Sequence, residues 1–163
     1  MVEYPSIEQP PVAIFAFNRP EKLRRVLAAL HNQGLSRLLV FVDGPRDEAD
    51  RRSVQTCQAL ASGVTWTETE LYFSPHNHGL DGIAQNVSHT LERYPAAIFL
   101  EDDCLPVLGF YDFMRQALAQ YRRILELDPD SAPALSLAAL LLATCPQREL
   151  RDYEAAVRMA ERA

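Results

Sequence analysis

"AAIFLEDDCLP", residues 96–106, decides how the chain is read. Small, branched and aromatic apolar residues run straight into Glu101, Asp102 and Asp103. A continuous apolar run of this length predicts a strand buried on both faces, as in a parallel sheet. Three acids at its end repel one another unless something positive faces them. In an open parallel sheet polar function gathers at the carboxyl ends of the strands, so the acids read as an edge of a crevice.

Working outward, the same unit recurs upstream. "VAIFAF" (12–17) is a buried strand ending in "NRP", where Asn18 or Arg19 can cap a helix that has Pro20 at its first position. The helix after it carries Leu23, Val26, Leu27 and Leu30 on one stripe, and Gly34 ends it. "RLLVFVD" (37–43) is a second buried strand, succeeded by a helix through about Ala61. "VTWTETELYF" (64–73) reads as a third strand near the sheet edge, with Val64 and Trp66 facing one way and Leu71 and Phe73 the other. "LDGIAQNVSHTLERY" is a helix with Ile83, Val87 and Leu91 in step, and "AAIFLEDD" is the fourth strand. Strands alternating with helices imply right-handed crossovers and a mainly parallel, four-stranded, Rossmann-like α/β sheet. With the fourth strand beside the first, Arg19 and the acids would face a common crevice.

After Pro106 the texture changes. A long helix, 108–127, carries Phe110, Met114, Leu118, Tyr121 and Leu125 on one side, and the rest of the chain reads as all-α. The expected division is a leader (1–10), an α/β domain (11–114) and a helical tail (115–163) that shares the helix 108–127.

Composition narrows the function classes. The chain of 163 residues is 48% apolar with a net charge of −6, which opposes non-specific nucleic-acid binding. No apolar run is long enough for a membrane span. "MVEYPSIEQPP" lacks the basic and apolar regions of a signal peptide. The three cysteines (Cys57, Cys104 and Cys145) are far apart, so the expectation is a reduced, cytoplasmic chain with isolated thiols.

Clustered carboxylates beside an Arg suggest a hard dication, Mn²⁺ or Mg²⁺, that holds a diphosphate. The plainer reading is a solvated acidic loop or the charge bias of a helix N-terminus. His76 and His78 form an H-x-H pair that reads as solvated loop, Asp81 as a helix-start charge or a sugar contact, and Trp66 as core.

"PVAIFAFNRPEKLRRVLAAL", "LLVFVDGPRDE", "NHGLDGIAQNVSHTL" and "AAIFLEDDCLPVLGFYDFMRQALAQY" resemble, in that order, the donor half of GT-A-fold glycosyltransferases, over residues 10–122. The likeness is to bacterial sugar transferases and to the Golgi N-acetylglucosaminyltransferase family. It implies metal-dependent binding of a nucleoside-diphosphate sugar and glycosyl transfer to an acceptor. Arg19 would contact the phosphates or ribose, and Asp43 the base. Glu101 and Asp102 would face the sugar and ribose, and Asp103 would ligate the metal. Asn77 and Gly79 would be turn residues near the donor.

The family's later strands, which supply the acceptor pocket and catalytic base, have no counterpart here. Instead "ALAQYRRILELDPDSAPALSLAALLLA" resembles a tetratricopeptide repeat, with Ala117, Tyr121 and Pro129 at its small, aromatic and proline positions. That likeness implies a helical hairpin and a second function class: a non-catalytic module binding a protein partner, or a second copy of itself, through the tail.

Overall fold

The computed structural model describes residues 9–94 and 96–127. The tetratricopeptide-like turn and both later tail helices lie outside the described residues. The chain divides into two units, Met1–Arg115 and Gln116–Ala163, and the whole sheet belongs to the first.

The elements alternate: β1 (Val12–Ala16), α1 (Pro20–Leu30), β2 (Arg37–Val42), α2 (Glu48–Ser62), β3 (Glu68–Phe73), α3 (Gly79–Arg93), β4 (Ile98–Glu101) and α4 (Phe110–Leu127). The four strands form one sheet in the order β3-β2-β1-β4, and every pairing is parallel. The α/β class and the parallel sheet are as expected, and the order is compatible with a Rossmann-like fold.

Burial explains why the central strands are continuously apolar. Side chains alternate across a strand. Val12, Ile14 and Ala16 of β1 join one core cluster with Leu38, Val40 and Val42 of β2, under α1 and α2. Ala13 and Phe15 point the other way and cluster with Leu39 and Phe41, against Ile83 and Val87 of α3. Both faces are covered, so neither strand has a polar side. β1, β2 and β3 are laid down in one direction, and β4 returns to the far side of β1. Right-handed crossovers then require α3 to cover the opposite face from α1 and α2, as the two clusters show.

Two boundaries differ from expectation. β3 begins at Glu68 rather than Val64, because its partner β2 begins at Arg37 and the two residues are in register. Val64 and Trp66 come before the ladder and pack against the first cluster, with Trp66 stacked on His31 at 5.1 Å between ring centroids. Leu71 and Phe73 pair with Val40 and Val42, so they share that same face rather than opposing Trp66. The expected alternation fails because residues 64–67 are not strand. β4 likewise stops at Glu101, and Asp102 and Asp103 form a turn. Among the described residues of α4 Tyr111 is buried, and its hydroxyl donates to the Pro10 carbonyl at 3.0 Å. Among the described residues no helix is long and apolar enough to cross a membrane.

Candidate functional site

At the carboxyl ends of the strands a cleft of about 380 Å³ opens where β1 separates β2 from β4. Arg19, Asp43, Glu101 and Asp102 all line it, together with Phe15, Phe17, Phe41, Arg46, Asn77 and Asn86. This is the point where strand order reverses, and the two crossovers leave in opposite directions. The loops diverge there and leave a gap.

The acids at the end of β4 meet their counter-charge from β1. Asp102 is fully buried, and the Phe15 carbonyl takes its backbone N–H at 3.0 Å, which extends the β1–β4 ladder by one bond. The Asp102 Oδ2 accepts from the Phe17 N–H at 3.4 Å. Its Oδ1 lies 2.5 Å from Arg19 Nη2, in an ionic contact that lacks a hydrogen bond of good angle. Arg19 occupies the N-cap position of α1. Its Nη1 donates to Asp103 Oδ2 at 2.9 Å, and Lys22 Nζ lies 3.4 Å from the same oxygen. Burial raises the Asp102 pKa even though Arg19 pulls it down. Burial works to lower that of Arg19, but Asp102 and Asp103 outweigh it and hold the guanidinium charged.

Asp103 is outside the cleft. It lines a second hollow of about 170 Å³ with Lys22, Arg25 and Asp102, the last of which also lines the cleft. Among the described residues no three His, Cys, Asp or Glu side chains converge as metal ligands. Asp103, expected to ligate Mn²⁺ or Mg²⁺, has its Oδ2 against Arg19 and Lys22.

Asp43, expected to contact a base, is met by four protein donors. Its carboxylate accepts from the Gly44 N–H (2.9 Å), the Asn77 Nδ2 (2.9 Å), the His78 N–H (3.0 and 3.1 Å) and the Gly79 N–H (2.9 Å). A carboxylate offers about four acceptor positions, so this one is saturated. It acts as a cap for α3, supplied from the end of β2 in place of a side chain at His78, which makes no capping bond. Gly79 enters the helix at φ 57°, a conformation glycine adopts without a Cβ penalty. Gly44 is needed for a separate reason. A Cβ there would stand 2.5 Å from the backbone of His76, so the β3–α3 loop can rest on this residue only if it is glycine. The sequences "DGP" and "HNHG" are two halves of one clamp.

The sequence reading missed Asp50. It is buried and accepts from Asn18 Nδ2 at 2.6 Å and Arg46 Nε at 2.7 Å. Those bonds, led by Arg46, hold its pKa at about 2. Asn18 is thus engaged with α2 and does not cap α1, where no side-chain cap bond forms. Held by Asp50, Arg46 lies over the Phe17 ring at 5.1 Å. The signal was present in the pattern, because Asp50, Val54, Cys57 and Ala61 form the single buried stripe of α2. An acid heading an otherwise apolar stripe needs a partner.

Of the other candidates, Asn77 and Gly79 are at the cleft wall, and His78 lines it through an exposed ring. Asp81 is exposed in the first turn of α3, and His76 is exposed in the loop before it. Trp66 is half-buried at the margin of the core. No protein-family model matches the chain, and no curated protein matches it.

Proposed function

We propose that this cleft binds a nucleoside-diphosphate sugar, as the donor half of a GT-A-type glycosyltransferase. One observation carries the reading. Arg19, Asp43, Glu101 and Asp102, drawn from three strand ends far apart in sequence, line one hollow of about 380 Å³ at the reversal of strand order. Its walls supply what such a ligand needs. Phe17 brings an aromatic ring to the wall, with Arg46 stacked over it. Arg46, whose Nε and Nη2 are held by Asp50, offers its remaining Nη1 to the diphosphate, and Arg19 lends positive charge beside it from its place between Asp102 and Asp103. Glu101, half-buried at the end of β4, offers a carboxylate to sugar hydroxyls. Asp43 serves by holding Asn77 and the start of α3 in place, with its own acceptor positions occupied. Glycosyl transfer to an acceptor hydroxyl is the reaction this reading implies, and no described residue is assigned as its base. The alternative, protein binding through the tail, rests on residues outside the described ones.

Calorimetric titration with UDP-, GDP- and dTDP-sugars, with and without Mn²⁺, tests the reading. The expected result is saturable binding of one nucleotide class, weakened by Arg46→Met and by Glu101→Ala. No binding of any of them at millimolar concentration would overturn it.

A further inference from the structure

We propose that the acidic turn after β4 is closed by Arg19 as its resident cation, so that the cleft takes its ligand without a divalent metal ion. The guanidinium spans the two carboxylates. Its Nη2 lies 2.5 Å from Asp102 Oδ1, and its Nη1 donates to Asp103 Oδ2 at 2.9 Å. Lys22 adds a second positive charge 3.4 Å from Asp103. Two cations thus face Asp102 and Asp103, and Arg19 also feels Glu101 beside them. A planar fork suits this task, because each of its ends meets a separate carboxylate.

The arrangement is also hard to displace. Asp102 is fully buried, and an ion entering between the acids would have to displace the guanidinium that holds them together. Removing one partner of a buried ion pair leaves an uncompensated charge, which is costly. Asp103 does not line the cleft and stands beside Lys22 and Arg25 in the second hollow. Pro20 fixes Arg19 at the start of α1, so the fork is presented by the same turn that ends β1.

The inference deepens the donor-binding reading, but its test separates the two. Mn²⁺ is titrated into the full chain and free Mn²⁺ is read by electron paramagnetic resonance. The wild type should retain no Mn²⁺ at millimolar concentration. Arg19→Met uncovers the acid pair and should gain Mn²⁺ binding, which Asp103→Asn in the same chain should remove. Stoichiometric Mn²⁺ binding by the wild type, lost in Asp103→Asn, would overturn the proposal, as would a folded Arg19→Met that gains nothing. If Arg19→Met does not fold, Lys22→Met takes its place. It should retain Mn²⁺ at millimolar concentration where the wild type retains none, and a folded Lys22→Met that gains nothing overturns the proposal. A second arm compares nucleotide binding in chelator and in Mn²⁺. Equal affinities support the proposal, and binding in Mn²⁺ alone overturns it while leaving the donor-binding reading intact. Absence of nucleotide binding in both refutes donor binding, and the Mn²⁺ titrations still decide this inference.

Discussion

Asp43→Asn is the sharpest test of how the cleft is built. The side chain keeps its shape and loses its charge. In the native structure four donors converge on the carboxylate, with His78 shared between both oxygens. An amide must turn its NH₂ towards some of them. Facing it towards Asn77 and Gly79 would orphan two donors. The better rotamer faces Gly44, whose N–H also reaches the His76 carbonyl at 3.3 Å. The remaining three bonds survive but become neutral. Hydrogen bonds to charged groups contribute about 1 kcal/mol more than neutral ones, so three weakened bonds and one lost give about 3–4 kcal/mol. The loop is partly solvated and recovers some of that, which leaves a predicted loss of about 2–3 kcal/mol. Trp66, the chain's single tryptophan, sits half-buried between α2 and β3 and reports unfolding by fluorescence in urea. Amide exchange at His78 and Gly79 should accelerate at the same time, because those N–H groups are the ones released. A loss below about 0.5 kcal/mol, the range of an ordinary surface change, with unchanged exchange at both amides would refute the clamp.

Two further outcomes rest on the same kind of geometry. Gly44→Ala forces its Cβ against the backbone of His76, so the β3–α3 loop must move. Overpacking of this kind costs about 1–3 kcal/mol, and ligand binding in the cleft should fall with it; unchanged stability and amide spectrum would contradict the contact. Burial pushes the Glu70 pKa up, but hydrogen bonds from Arg93, Tyr72 and Tyr94 more than offset it and hold it at about 2 against an ordinary 4.5. Glu70 is therefore ionised in the folded chain at a pH where the unfolded chain has taken up its proton. Its stabilisation is present above about 4.5 and is lost as the pH falls towards 2. It amounts to roughly 3 kcal/mol at most, and Glu70→Gln should flatten the stability profile over that window; an equally steep profile in the variant would count against it.

The sequence alone determined the strands, the helices and their alternation. The signals are local: continuous apolar runs for strands buried on both faces, a single stripe for each covering helix, and Pro20 to start α1. It also marked which strand ends would be polar. Where a boundary depends on a neighbour, local signals fail. β3 starts four residues late because a strand begins where its partner does, and Arg37 is that partner's first residue. The meaning of the polar ends was likewise a tertiary matter. Charge at Glu101, Asp102 and Asp103 is written in the chain, but what neutralises it is not. Arg19 is more than eighty residues away and reaches the acids only because β4 pairs beside β1. The same sheet order puts Asp43 against Asn77, His78 and Gly79, where it caps α3. Sequence spacing cannot reveal these pairings, because a carboxylate takes the donors that the fold brings to it.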